Sequence, residues 1–203
     1  MTTPTTTSTV RPATTADVTA LAGVIADAFW DDPTMRWIVP DGERRRTIGP
    51  DVFRPFAASL QPLGDTWITE DRTGAALWIA PGRAVSPEDE EAIGQHLAAV
   101  LTEDELERAG ALVAVKDEHL PSRPHAYLDL LGVRPTSQGR GLGSALLEAV
   151  LSRLDRDGLP AYTEATTDRN RRLYERHGFV HLDDVAPAGG PKLRRMWREP
   201  RPA

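Results

Sequence analysis

The sequence predicts an α/β (α+β) fold in which helices pack on a mixed sheet. Strand-length runs come early, and a helix–strand–helix–strand succession follows in the second half. The 203 residues suit one domain, and 40% hydrophobic with 27% charged residues is an ordinary globular composition. We therefore expect a single domain over residues 10–200, preceded by a disordered, threonine-rich tail at residues 1–9.

The first half is predicted to hold a strand, two helical regions and a hairpin. Val18, Leu21 and Ile25 recur at helical spacing after a capping-box pattern, and Pro33 ends that helix because proline disfavours helix in the preceding residue. In order, the predicted elements are a strand at 10–12, a capping box at 14–17, a helix ending near 30–33, a helical region at 42–60 interrupted at Pro50 and Pro55, and hairpin strands at 67–70 and 75–80.

The rest of the chain alternates helical and strand patterns. Residues 87–115 are predicted to be helical. The segment is strongly acidic, because residues 86–118 hold ten acidic side chains and only two basic ones, Arg108 and Lys116. A charge run of this kind is usually a solvated helix face. Predicted after it are a strand at 127–133, an amphipathic helix at 141–154, a strand at 161–166, a helix at 168–177 with Asp168 as its N-cap, and closing strands at 179–183 and 192–198.

Charge and cysteine content exclude several classes of protein. The chain has 24 basic and 30 acidic residues, so its net charge of −6 disfavours nucleic acid and anionic membrane as general partners. No cysteine is present, which excludes disulfide scaffolds, thiolate zinc sites and cysteine nucleophiles. The five histidines show no metal-ligand spacing, so no metal is expected. We find no secretory-signal or membrane-span pattern and expect a cytoplasmic protein.

The most informative segment is the glycine-rich turn Gln138-Gly139-Arg140-Gly141-Leu142-Gly143, between a predicted strand and a predicted helix. Its glycines let the backbone turn tightly, and the first amides of the following helix suit a phosphate or pyrophosphate. The spacing is not that of a P-loop, which needs Gly-Lys-Ser/Thr, nor of the G-x-G-x-x-G dinucleotide fingerprint.

This turn resembles the acetyl-coenzyme A motif of the GNAT superfamily of N-acetyltransferases. The segment from Asn170 to Phe179 resembles the second motif of that superfamily, in the right order and at the right separation. The resemblance is strong over residues 126–183, and within the superfamily the chain is most similar to puromycin N-acetyltransferase and its relatives. It implies a mostly antiparallel, twisted sheet with two splayed parallel central strands, an acetyl-coenzyme A core at residues 126–183 and acceptor-binding elements mainly at residues 10–125.

The resemblance also implies which residues bind the acetyl donor, acetyl-coenzyme A. Backbone groups of the first strand of the splayed pair would bind pantetheine and polarise the thioester carbonyl, while amides of the turn would hold the pyrophosphate. Asn170 and Tyr174 lie four residues apart on one helix face and would both point at the coenzyme. The expected coenzyme-binding residues are Leu131, Gly132, Val133, Gln138, Gly139, Arg140, Gly141, Leu142, Gly143, Ser144, Asn170 and Tyr174.

The catalytic groups implied by the resemblance are an acid and a base. Tyr174 would protonate the departing thiolate, because a phenol and a thiol differ only modestly in pKa. Glu164 is the first choice for the base that keeps the amine neutral, with Asp129 or water left open. Asp129 is predicted to share a strand face with Leu131 and Val133 and could therefore line the acceptor cleft. Asp31 and Asp32 could attract a cationic amine, and Trp30 could stack on an aromatic one; a plain turn at Asp31–Pro33 remains the alternative.

The resulting expectation is an N-acetyltransferase that acts by direct attack of a small primary amine, an antibiotic or a metabolite. The absence of cysteine leaves no thiol to carry an acyl-enzyme. Acetylation of a protein N-terminus or lysine is the alternative reaction, and a catalytically silent coenzyme A sensor is the alternative class. A monomer or a homodimer is expected.

Overall fold

The fold is a single domain built on one seven-stranded sheet, as a computed structural model describes it for residues 9–201. Within those residues one pair of neighbouring strands is parallel, the other neighbouring pairs are antiparallel, and seven α-helices are present. These features confirm the predicted mixed, mostly antiparallel α/β fold. The expected tail at residues 1–9 lies outside the described residues except for Thr9.

The predicted elements recur with shifted ends, and seven helices are present among residues 9–201 where five helical regions are predicted. The strands are β1 Val10–Pro12, β2 Gly64–Thr69, β3 Gly74–Ile79, β4 Ala126–Val133, β5 Ala161–Ala165, β6 Val180–Val185 and β7 Leu193–Arg198. Their order across the sheet is β1-β2-β3-β4-β5-β7-β6, and β4 and β5 form the parallel pair. The helices are α1 Val18–Phe29, α2 Pro33–Ile38, α3 Gly42–Leu60, α4 Pro87–Val100, α5 Glu103–Glu118, α6 Leu142–Asp157 and α7 Asp168–Arg176.

Helix α3 is continuous, so the predicted interruption at Pro50 and Pro55 is wrong. A proline inside a helix leaves the carbonyl four residues earlier without its usual amide donor. For Pro55 that carbonyl belongs to Asp51, and the ring Nε2 of His96 in α4 lies 2.9 Å from it. A donor from another helix thus replaces the missing backbone bond.

Three smaller differences come from capping. The acidic segment forms two helices, because Leu101 is extended and Thr102 begins α5 with a capping box to Glu105. Pro33 opens the short helix α2 instead of closing a turn, with Asp32 as its N-cap. Thr167, not Asp168, is the N-cap of α7.

The sheet carries a core on each face. Helices α1 and α3 cover one face, where Ala75 and Leu77 of β3 are buried, and α6 covers the other, where Ala76 and Trp78 are buried. Strands β4 and β5 pair only from Ala126↔Ala161 to Leu128↔Thr163, although both strands continue further. The predicted separation of the central strands is therefore present.

A bulge in β4 sets which side chains share a face. Leu128 opposes Trp78 and Leu130 opposes Leu77, so Asp129 is an extra residue in the ladder. Beyond it, Leu131 packs against the α6 side, whereas Asp129 contacts Lys116 of α5 on the other side. The prediction that Asp129 shares a face with Leu131 and Val133 is therefore wrong, because strict alternation fails at a bulge.

Candidate active site

The turn between β4 and α6 presents backbone donors to solvent. Gly139 and Gly141 have φ values of +79° and +81°, a left-handed conformation that side chains with a Cβ disfavour. Gly141 is the N-cap of α6 and offers no side-chain acceptor. The first amides of α6 therefore lack both an intrahelical and a capping partner, and they lie at the positive end of the helix dipole. Such an end suits an anion.

A cavity of about 600 Å³ opens in front of these amides. Its walls are the glycine-rich turn, the end of β4, the inner face of α7 and the end of α1; we call it the central cavity. It is lined by Ala28, Phe29, Asp31, Asp32, Leu131, Gly132, Val133, Ser137, Gln138, Gly139, Gly141, Leu142, Gly143, Ser144, Thr167, Arg169, Asn170, Arg172, Leu173, Tyr174 and Arg176. All the predicted coenzyme-binding residues except Arg140 are in this wall. Arg140 is exposed on the turn.

Close packing behind the cavity depends on Gly132 in β4. A Cβ at this position would lie 2.7 Å from the Cβ of Ala28 and 3.0 Å from the Cδ1 of Ile25, both in α1. The glycine thus lets α1 approach the strand where β4 has lost its pairing with β5. On the turn, Gln138 donates from Nε2 to the carbonyl of Val133 at 3.0 Å and accepts from Arg169, which fixes the turn between β4 and α7.

Tyr174 stands where the cavity meets the separating strands. Its side chain is 4% exposed, and its ring centroid lies 5.7 Å from that of Phe179. Burial raises the pKa of its phenol far above the ordinary value, and the charges of Asp32 and Glu164 add to this, while a hydrogen bond with Thr163 opposes it. The phenol therefore keeps its proton at neutral pH, which is the form from which an acid must start. Thr163 itself donates to the carbonyl of Leu128 at 2.9 Å, across the last paired position of β4 and β5.

The two aspartates predicted to attract an amine both line the cavity, but their carboxylates differ in how many hydrogen bonds they accept. Asp32 is 8% exposed and accepts from the amide and hydroxyl of Thr34 at 2.9 and 2.6 Å, and from the hydroxyl of Thr166 after β5. This carboxylate therefore ties α2 to the end of β5. Asp31 is exposed and, among residues 9–201, has one long ion pair, at 3.7 Å to Arg36, so its carboxylate can also meet a cation from solvent.

On the opposite face of β4 and β5, five polar side chains form what we call the Glu164 cluster. Its members are Lys116, Tyr127, Asp129, Tyr162 and Glu164. Lys116 Nζ donates to Asp129 Oδ1 at 2.6 Å and lies 5.4 Å from the centre of the Tyr127 ring. Tyr127 donates from its hydroxyl to Glu164 Oε2 at 2.8 Å. The cluster lies outside the wall of the central cavity.

Glu164 is a candidate general base. Its Oε1 is buried and has no hydrogen-bond partner among residues 9–201. Burial raises the pKa of this carboxyl, while the charge of Lys116 and the hydrogen bond from Tyr127 lower it; the net direction is upward. Burial alone would lower the pKa of Lys116, but the charges of Asp129 and Glu164 raise it, so the lysine stays charged. A carboxylate whose pKa is raised and whose Oε1 has no partner within residues 9–201 is a candidate proton acceptor.

Trp30 does not line the central cavity. It lines a separate pocket of about 320 Å³, and its Nε1 donates to the carbonyl of Gly42 at 3.2 Å. The guanidinium of Arg46 stacks 4.7 Å from its ring centre. The structure thus separates Trp30 from the other predicted acceptor residues.

Sequence reasoning missed Lys116 and Tyr127, and it placed three arginines of α7 around the coenzyme motifs without assigning them a ligand contact. The arginines Arg169, Arg172 and Arg176 recur at helical spacing, which could have indicated a shared face. Lys116 is one of only two lysines, but nothing in the sequence connects it with Asp129, because that contact depends on how α5 docks on the sheet.

Comparison with known proteins agrees with this architecture. The family model of the acetyltransferase (GNAT) family matches residues 66–179, more than half of the chain and the whole of the region that builds the turn, the separated strands and α7. This chain belongs to the GNAT acetyltransferase family. It is therefore an acyltransferase, and enzymes of this family use acetyl-coenzyme A as their donor.

Individual proteins of known name or structure are also similar to this chain. It is 34% identical over 169 residues to a mycothiol acetyltransferase of Streptomyces coelicolor, covering 69% of this chain but about half, 55%, of that longer enzyme. The solved structure of a histone acetyltransferase HPA2 and related acetyltransferase from Corynebacterium glutamicum is 27% identical, with a TM-score of 0.65 over 96% of this chain and 97% of that one. A polyamine N-acetyltransferase of Drosophila melanogaster shares the fold, at 18% identity and a TM-score of 0.65 over 94% and 98%.

Two further observations concern residues 9–201. Every helix there is too short or too polar to cross a lipid bilayer. The same residues hold no group of three or more histidine or acidic side chains placed to bind a metal ion.

Proposed function

We propose that this GNAT enzyme transfers acetyl from acetyl-coenzyme A to the amine of a small molecule, with the coenzyme in the central cavity and the amine arriving from the side of the Glu164 cluster. The observation that carries the proposal is the position of Tyr174 and Glu164 around the point where β4 and β5 separate. Tyr174 lines the cavity, and Glu164 follows the last paired residue of β5 on the other face.

The residues of the cavity fit the coenzyme. Uncapped amides of Leu142, Gly143 and Ser144 suit its pyrophosphate. Beyond Leu128 the backbone of β4 is no longer paired with β5, so the edge at Leu131 to Val133 that faces away from β3 can offer hydrogen bonds to pantetheine. Asn170 and Tyr174 face the same space. The bound coenzyme supplies the activated acetyl group.

The residues of the chain would move two protons. A cationic amine first loses one proton to solvent. As the neutral nitrogen bonds to the acetyl carbon, its next proton passes to Oε1 of Glu164, which has no hydrogen-bond partner within residues 9–201. Tyr174 gives its proton to the thiolate as the carbon–sulfur bond breaks. Backbone donors of β4 stabilise the developing negative charge on the acetyl oxygen. Asp129 is engaged by Lys116, which favours Glu164 over Asp129 as the base.

The charges favour a cationic amine as acceptor. The Glu164 cluster holds two carboxylates against one lysine, and Asp31 is exposed at the cavity. The acidic segment at residues 86–118 supplies α4 and α5, and α5 carries Lys116 of that cluster. Polyamines, aminoglycosides and aminonucleosides such as puromycin belong to this class. If the acceptor is an aminoglycoside or an aminonucleoside, the biological role would be antibiotic resistance. The fold shared with a polyamine acetyltransferase supports the same class.

The test follows thiol release from acetyl-coenzyme A over polyamines, aminoglycosides, puromycin, arylalkylamines and basic peptides, with coenzyme binding measured by calorimetry. We expect turnover with a small amine and about a hundredfold lower kcat for Tyr174→Phe, because general acid catalysis typically contributes that much. Unchanged coenzyme affinity in the variant shows that the site is intact.

Other results would contradict the proposal. Turnover confined to peptides would favour a protein acetyltransferase. Coenzyme binding without turnover on any amine would favour a sensor, and full activity of Tyr174→Phe would remove it as the acid.

A further inference from the structure

One wall of the central cavity carries positive charge that no carboxylate of residues 9–201 neutralises. Arg169, Arg172 and Arg176 all line the cavity, and their spacing of three and four residues places them along one face of α7. Arg171 lies on another face, outside the cavity wall, and pairs with Glu175 at 2.8 Å. The same helix therefore holds a neutralised arginine outside the cavity and three others inside it.

None of the three cavity arginines has a carboxylate partner within the described part of the chain. Arg169 donates to the amide oxygen of Gln138, and Arg176 donates to the backbone carbonyl of Arg172 at 3.1 Å. The guanidinium of Arg172 makes no hydrogen bond to any residue from 9 to 201. The acidic residues beside them in sequence pair elsewhere, Asp168 with Arg194 of β7 and Glu175 with Arg171.

This charge exceeds what a pyrophosphate at the turn requires. The uncapped amides of α6 already serve that group, and Arg169 is held at the turn through Gln138. From Arg169 to Arg176 the helix extends the charged wall by about 10 Å. Coenzyme A carries, besides its pyrophosphate, a phosphomonoester at the ribose 3′ position, with nearly two negative charges at pH 7. Guanidinium groups match such a phosphate with paired hydrogen bonds.

We propose that Arg172 and Arg176 bind the 3′-phosphate of coenzyme A, so that the enzyme selects the 3′-phosphorylated coenzyme over dephospho-coenzyme A. This inference rests on the proposed function, because it assumes that the coenzyme occupies the central cavity. In this arrangement side chains bind the 3′-phosphate of the coenzyme, and backbone amides bind its pyrophosphate.

Calorimetric titration with coenzyme A and with dephospho-coenzyme A tests the assignment without any turnover. We expect the unaltered protein to prefer coenzyme A by about tenfold or more, the size of one hydrogen bond to a charged group. Arg172→Gln and Arg176→Gln should each reduce that preference severalfold and leave the affinity for dephospho-coenzyme A unchanged. Arg171→Gln, the matched control on the same helix, should keep the full preference. Added salt should weaken the preference, because it screens exposed charges.

The outcomes separate the two proposals. Equal binding of both ligands by the unaltered protein, or a full preference retained in both glutamine variants, overturns the 3′-phosphate assignment and leaves the proposed function standing. If the unaltered protein binds neither ligand, the proposed function fails together with the inference. Thermal unfolding confirms that each variant is folded before its affinity is compared.

Discussion

The two sides of the separated strands differ in the part of the chain that they offer to a ligand. In the central cavity the turn offers backbone amides, and its geometry depends on glycines with left-handed φ. On the other face the Glu164 cluster offers only side chains, coupled by short hydrogen bonds and by charge. The cavity side should therefore respond to changes of shape, whereas the cluster should respond to pH and to changes of charge.

The largest effect is expected from Glu164→Gln. This change keeps the shape of the side chain and its hydrogen bond to Tyr127 but removes the base, so kcat should fall by about 10²- to 10³-fold. The decline of activity toward low pH, which reports protonation of Glu164, should disappear from the profile, while coenzyme affinity should not change.

The matched control for that change is Glu175→Gln, which alters an exposed glutamate paired with Arg171 outside the cavity. It should retain full activity. Equal activities of the two variants, or an unaltered acidic limb in Glu164→Gln, would remove Glu164 from the mechanism and with it the functional contrast between the two sides.

A change of shape on the cavity side should act on binding. Gly141→Ala places a Cβ on a residue with φ of +81°, a conformation that costs an ordinary residue about 1–2 kcal/mol. We expect about tenfold weaker coenzyme binding by calorimetry, since relief of this strain turns the α6 amides away. Gly110→Ala, in the middle of α5 with no atom within 4 Å of the added Cβ, is the control and should bind normally. Tight binding by Gly141→Ala would show that the turn does not need its present geometry.

The smallest effect is a shift in the pH profile, of opposite sign for two neighbours. The charge of Lys116 lowers the pKa of Glu164 and the charge of Asp129 raises it. Lys116→Met should therefore move the midpoint of the acidic limb to higher pH, and Asp129→Asn should move it to lower pH. Lys116→Arg keeps the charge and should keep the midpoint. Shifts in the same direction for Lys116→Met and Asp129→Asn would show that the cluster does not set the pKa of the base.

The same contrast explains how much of the site the sequence could predict. The turn from Gln138 to Gly143 and the helix with Asn170 and Tyr174 are local patterns, and the sequence predicts both with the right elements around them. The contact of Lys116 with Asp129 depends on a bulge in β4 and on the docking of α5, which no local spacing reveals. Trp30 lies near the cavity residues in sequence, yet its indole turns toward Gly42.

The passage of α3 through two prolines also bears on how the domain folds. The carbonyl of Asp51 has no amide donor within its own helix because of Pro55, and it relies on His96 from a helix that comes later in the chain. The continuity of α3 past Pro55 is therefore supported by packing against α4 and not by local propensity alone. Because α4 follows α3 in the chain, this contact can form only after α4 has been synthesised.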